Sequence, residues 1–172
     1  DIALFLIDAS VGITEQDKHV VGYAHDANKA IIILVNKWDI KKNGMSAAEF
    51  TKDIRREFKF LDYVNILFIS ALTKSNLEKV FKEINDTHEA LNKRIKTSVL
   101  NDVILDAVQM NESPDFKGGR LKIYYGEQIG INPPTIVLFC NDPKFAHFSY
   151  MRYIENRLRE AFSFNNVPLK VV

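Results

Sequence analysis

Apolar positions along the chain follow two different periods. Ile2-Ala-Leu-Phe-Leu-Ile7 is a continuous apolar run ending on Asp8, and Ile31-Ile-Ile-Leu-Val35 is a second, strongly β-branched one. Val64-Asn-Ile-Leu-Phe-Ile69, interrupted only by Asn65, predicts a third strand. Short runs without polar alternation predict strands buried on both faces. Between them the spacing is helical. Thr14 to Ala27 predicts a helix capped by Thr14, with Asp17 three residues on to satisfy the free N–H groups. Ser46 opens a helix to about Phe58, with Ala47, Phe50, Ile54 and Phe58 along one face. Ser75 to Asn92 predicts a third helix, with Leu77, Val80, Phe81, Ile84 and Leu91 inward. Strand–helix alternation of this kind predicts an α/β unit: a parallel sheet covered by helices on both faces.

From about residue 94 the rhythm changes. Thr97 or Ser98 is placed to cap a helix to about Asn111, striped by Leu100, Val103, Ile104, Ala107 and Val108. A turn over 112–119 leads to strands at Leu121–Gln128 and Thr135–Asn141, separated by Pro133-Pro134. Phe148–Phe162 predicts a helix with Met151, Ile154, Leu158 and Ala161 aligned, and Leu169–Val172 a last short strand. The order α-β-β-α-β describes a small α+β unit, so two domains are expected, 1–93 and 94–172.

Composition narrows the function classes. Of 172 residues, 47% are hydrophobic and 26% charged, which suits a chain that builds a core and excludes a disordered or low-complexity one. Formal net charge is +1, too small to signal nucleic-acid binding by itself. Residues 1–92 carry 12 Lys/Arg against 14 Asp/Glu, and residues 93–172 carry 11 against 8, an asymmetry compatible with different partners for the two halves. No apolar run approaches the roughly 18 residues needed to cross a bilayer, so no membrane role is expected. The single cysteine, Cys140, forms no internal disulfide, and the cytoplasm is the expected compartment. His19, His25, His88 and His147 show no metal-ligand spacing, and no catalytic residue is singled out.

Candidate chemistry lies at the ends of two strands. Asn36-Lys37-Trp38-Asp39 follows the strand Ile31–Val35 directly, and Ser70-Ala71-Leu72 ends the next strand. Ligands of open α/β sheets bind outside the carboxyl ends of strands. The Asp39 carboxylate matches the two donors of guanine, N1–H and the exocyclic amine. Adenine lacks those donors there and would leave a desolvated carboxylate unpaired, a mismatch that discriminates strongly. Asn36 reaches N7 with its amide or ties neighbouring loops together. The Lys37 stem lies over the base plane, and the Ala71 N–H donates to O6, with small side chains at Ser70 and Ala71 permitting close approach. The competing structural reading has Asn36 and Asp39 capping the loop and Lys37 solvated.

N-K-x-D followed by S-A-L resembles the base-recognition elements of translation-factor-class GTPases. Asp8-Ala-Ser-Val-Gly-Ile-Thr-Glu-Gln-Asp17, Gly22-Tyr-Ala-His25 and Val35-Asn-Lys-Trp-Asp39 resemble the second G domain of the Der (EngA) family. Ser98-Val-Leu-Asn-Asp102, Arg120-Leu-Lys-Ile-Tyr-Tyr125, Pro133-Pro-Thr135, Asn141-Asp-Pro143, His147-Phe-Ser-Tyr150 and the run Tyr153–Phe162 resemble that family's C-terminal KH-like domain. The resemblance implies the latter part of a P-loop-GTPase-type sheet over 1–93 and a KH-like domain over 94–172. It further implies a parent that binds GTP or GDP with magnesium, hydrolyses GTP and assists assembly of the large ribosomal subunit, whose ribosomal RNA is the implied partner.

The phosphate side has no counterpart in these residues. No G-x-x-x-x-G-K-[ST] occurs, so no row of backbone N–H groups cradles phosphates and no Ser/Thr hydroxyl holds magnesium. The sequence opens with Asp1, one residue before a strand, and reads as a C-terminal fragment. As such it is expected to hydrolyse nothing, to hold no cofactor and to bind guanine nucleotide weakly. The strand Ile2–Ile7 is expected to leave an apolar edge open to self-association. In the second half no G-x-x-G clamp is present; Tyr124 and Tyr125 are candidates for base stacking, and Arg120, Lys122, Arg152, Arg157 and Arg159 for RNA phosphate contacts. An alternative reading of the whole chain is a stand-alone RNA- or protein-interaction module with no nucleotide role.

Overall fold

The structure, a computed structural model, describes residues 1–40 and 44–172. The chain forms two compact units: Asp1–Glu89 with Asn165–Pro168, and Ala90–Phe164 with Leu169–Val172. A single division near residue 93 therefore misses one feature. Four residues beyond the last helix belong to the first unit by their contacts, because Asn166 finds its hydrogen-bonding partners there.

In the first unit the elements are β1 (Ile2–Asp8), α1 (Glu15–Asp26), β2 (Ala30–Asn36), α2 (Ala47–Glu57), β3 (Ile66–Phe68) and α3 (Leu77–Leu91), the last running past the unit's boundary. Both expected N-caps form. The Thr14 hydroxyl accepts from the Asp17 N–H while the Asp17 carboxylate accepts from the Thr14 N–H, and Ser46 and Glu49 reciprocate in the same way. The three strands are parallel in the order β1-β2-β3. All of β2 from Ala30 to Val35 is buried, as its unbroken apolar run requires.

One face of this sheet packs Phe5, Ile7, Ile31, Ile33 and Val35 against Phe50, Ile54 and Phe58. The other packs Ile32 and Leu34 with Ile69, Val80 and the partly buried Leu77 and Ile84. Cover is incomplete on that second face. Leu4 and Leu6, the β1 neighbours of Ile32 and Leu34 in register, are 42% and 52% exposed. Among the described residues β1 pairs with β2 alone, which leaves its outer edge open. The expectation of helices covering both faces is corrected there: on that face of β1 Ile2 packs against the cluster, while Leu4 and Leu6 stay open.

The second unit carries α4 (Thr97–Met110), a two-residue hairpin of β4 (Asp115–Phe116) and β5 (Gly119–Arg120), then β6 (Ile123–Gly130), β7 (Thr135–Cys140), α5 (Phe148–Phe162) and β8 (Lys170–Val171). Apart from the hairpin this is the expected α-β-β-α-β order, with β6 antiparallel to β7 and β7 parallel to β8. Neither Thr97 nor Ser98 caps α4. The N-cap is Lys96, which makes no side-chain cap, and Thr97 is the first helical residue. Helix α4 approaches β6 closely at Gly126, where a Cβ would lie 2.5 Å from Ile104 Cδ1. The Asn101 carboxamide uses that gap, accepting from the Gly126 N–H at 2.7 Å and donating to its carbonyl at 3.0 Å.

Candidate nucleotide-binding site

At the carboxyl edge of the three-stranded sheet, the ends of β1, β2 and β3 are laced by polar contacts. Asp8 and Asn36 are register partners at the ends of β1 and β2. The Asn36 carbonyl accepts from the Ala9 N–H at 2.9 Å, and the Trp38 N–H donates to the Ile69 carbonyl at 3.1 Å. Lys37 between them takes a left-handed backbone, φ +59°, and Trp38–Ile40 closes as one 3-10 turn.

This geometry sorts the four residues of the N-K-W-D run. The Trp38 indole packs on Phe68 at 4.5 Å and edge-on to Phe50 at 5.8 Å, as a plug under the loop. Lys37 and Asp39 are exposed and Asn36 half-exposed. The Asn36 Oδ1 accepts from the Ala71 N–H at 3.0 Å, bridging the loops after β2 and β3. With that oxygen engaged, the carboxamide presents its NH2, the donor that a purine N7 requires. The Ala71 N–H, expected to be a donor to O6, is instead spent on Asn36, because its nearest acceptor is the neighbouring loop's own amide oxygen.

Ser70 is buried, and its hydroxyl accepts from the Thr73 N–H at 3.1 Å while its backbone bridges to Ser75. It shapes the turn, leaving Ala71 exposed at the tip. Leu72 is 85% exposed. Of the seven residues singled out in sequence, Asn36 and Ala71 are joined directly, Lys37, Trp38 and Asp39 follow Asn36 in one loop, and Ser70 and Leu72 flank Ala71 in the other.

Sequence reasoning missed Asp8. Its Oδ2 lies 2.7 Å from the Lys37 ammonium, and its Oδ1 accepts from the Ser10 N–H at 2.8 Å and hydroxyl at 2.6 Å. The Lys37 ammonium, then Ser10, hold its carboxyl down to about 2. The signal was present in the chain: an apolar strand that ends on a carboxylate at the edge where N-K-W-D emerges.

The second unit's expected basic patch is largely neutralised. Arg120 pairs with Glu112 and Asp115, Arg157 with Glu160, and Arg159 with Glu155. Tyr124 and Tyr125 are both exposed, at 66% and 47%, because the β6 register shifts between Ile123 and Tyr125 and interrupts the in–out alternation. The Tyr125 ring stacks on Phe139 at 4.3 Å.

Residues 1–105 match the family model described as the Elongation factor Tu GTP binding domain. Residues 94–172 match the KH-domain-like C-terminal region of EngA bacterial GTPase enzymes. The chain thus belongs to the family of the Elongation factor Tu GTP binding domain, whose model covers more than half of it, and its second half is similar to the C-terminal domain of EngA enzymes. It is 50% identical over its whole length to GTPase Der of Lactobacillus helveticus and 52% identical to GTPase Der of Listeria innocua. In both cases it spans 40% of the relative's length. Among solved structures it is similar to Era of Aquifex aeolicus bound to GDP and AlF4−, at 20% identity and a TM-score of 0.43, over 99% of this chain and 64% of that one. Among the described residues no helix is long and apolar enough to cross a membrane.

Proposed function

We propose that residues 1–93 are the base-recognition part of a family-type second G domain, that 94–172 are its KH-like domain, and that Asn36, Lys37, Asp39 and Ala71 form half of a guanine socket. The observation that supports this reading is the 3.0 Å bond from the Ala71 N–H to Asn36 Oδ1, which ties the loop after β2 to the loop after β3, with Asp39 exposed three residues beyond Asn36. Asp39 accepts from guanine N1–H and the exocyclic amine, Asn36 donates to N7, and the Lys37 stem covers a base face. Trp38, Ser70 and Leu72 hold or flank the loops. The Ala71 N–H reaches O6 only by being shared with, or released from, Asn36.

In the whole-length protein this half-socket serves GTP hydrolysis during assembly of the large ribosomal subunit, in the cytoplasm, with ribosomal RNA as the partner. Triphosphate and magnesium call for a G-x-x-x-x-G-K-[ST] loop, which these 172 residues do not contain. The chain by itself therefore hydrolyses no GTP and binds guanine nucleotide weakly. A second reading, an RNA- or protein-interaction module, draws support from the exposed Tyr125–Phe139 stack.

Titration of the 172-residue chain with GDP and with ADP, followed by amide NMR, tests the first reading. GDP is expected to shift Ala71 and the Trp38 indole at about millimolar concentration, ADP far less, and Asp39→Ala to erase the preference. Equal responses to GDP and ADP would remove the guanine assignment. Micromolar or tighter GDP affinity would refute the weak-binding part.

A further inference from the structure

Lys37 is a lysine in a left-handed backbone, φ +59°, at the point where the loop leaves β2. Among the described residues one carboxylate pairs with its ammonium. Asp8 Oδ2 lies 2.7 Å from the Lys37 ammonium.

Asp8 is itself held at both carboxylate oxygens and at its carbonyl. Its Oδ1 takes both the N–H and the hydroxyl of Ser10, and its carbonyl accepts from the Val11 N–H at 3.1 Å and the Gly12 N–H at 2.9 Å. The turn over residues 8–12 thus divides the carboxylate: one oxygen is locked to Ser10 and the other is turned toward Lys37. The Ala9 N–H on the Asn36 carbonyl ties this turn to the N-K-W-D loop one residue before Lys37. A rigidly mounted anion facing a flexible four-carbon cation fixes the far end of its stem.

We infer that Asp8 is a positioning residue of the guanine half-socket, which anchors the Lys37 ammonium so that the lysine stem is laid out beside the loop tips before a base arrives. This rests on the guanine reading above. A stem already ordered loses little rotamer freedom when a base stacks on it, so the ion pair raises affinity without touching the ligand. Asp8 acts through Lys37 and contributes no bond of its own to the nucleotide.

The test is a double-mutant cycle on the 172-residue chain, with GDP as the probe and amide NMR as the readout. Asp8→Asn keeps an acceptor for Ser10 and removes the charge facing Lys37. It is expected to weaken GDP binding about tenfold, and Asp8→Glu to restore most of the affinity. In the Lys37→Met background, Asp8→Asn is expected to cost nothing further. Without nucleotide, the Lys37 ammonium resonance of the wild type is expected to be protected from exchange, and that of Asp8→Asn not. Equal losses from Asp8→Asn in both backgrounds would make Asp8 a fold residue and overturn the inference, as would unchanged affinity in Asp8→Asn. Should Asp8→Asn not fold, Asp8→Glu decides: a folded Asp8→Glu chain that leaves the Lys37 ammonium unprotected sinks the inference. A wild type that ignores GDP removes the guanine reading and this inference together, whereas a wild type that binds while Asp8→Asn binds equally removes only the inference.

Discussion

Two asparagines close opposite ends of the first unit's sheet, and burial separates them most. At the carboxyl end Asn36 is half-exposed and spends its side-chain oxygen on the Ala71 N–H. At the amino end Asn166 is 1% exposed, with φ +63°. Its Oδ1 accepts from the Asn65 N–H at 2.6 Å, and its Nδ2 donates to Glu83 at 2.6 Å and to the Thr87 hydroxyl at 2.8 Å. Its backbone donates to the Tyr63 carbonyl and accepts from the Ile31 N–H. Burial decides what the same carboxamide does. Out of water, every donor and acceptor must be matched inside the protein, so Asn166 is a rivet. Half in water, Asn36 is left with a group to offer a ligand.

The largest effect should come from the buried end. Asn166→Ala removes three side-chain hydrogen bonds and strands the Asn65 N–H, the Thr87 hydroxyl and part of Glu83. A loss of about 2–4 kcal/mol from the first unit is expected in urea denaturation. Asn36→Ala should cost only about 1 kcal/mol, since water replaces what is lost. Its clearer sign should be faster hydrogen exchange at the Ala71 amide. If the two variants proved equally destabilising, burial would not be the variable that separates them.

The smallest effect concerns pH. Asp8 is held down to about 2 from an ordinary 3.8, so the contribution of its ion pair is complete above about pH 4 and disappears as pH falls toward 2. Titration of the Asp8 carboxyl carbon by NMR should show a midpoint near 2, moving back toward 3.8 in Lys37→Met. A midpoint of 3.8 in the wild type would mean that the carboxyl end is as loose as an exposed loop.

The local pattern of the chain was enough to specify most elements. The capping boxes at Thr14 and Ser46, the buried run of β2 and the α-β-β-α-β order follow from interactions within a few residues, which a sequence displays directly. The N-K-W-D and S-A-L tips were legible for the same reason, each being a short segment at the end of an apolar strand. What depended on distant partners was not. The pairing of Asp8 with Lys37 spans two strands; the sequence reading did allow Asn36 to tie neighbouring loops together, as it does, but not that it would take the Ala71 N–H, 35 residues away, to do so. The return of Asn166 to the first unit, 101 residues from its partner Asn65, has no sequence period at all. Register and side-chain burial settle such contacts, and both exist only once the sheet has formed. Sequence thus determined which segments form the edge proposed to meet a purine; tertiary structure decided which polar groups on it are already spent on one another.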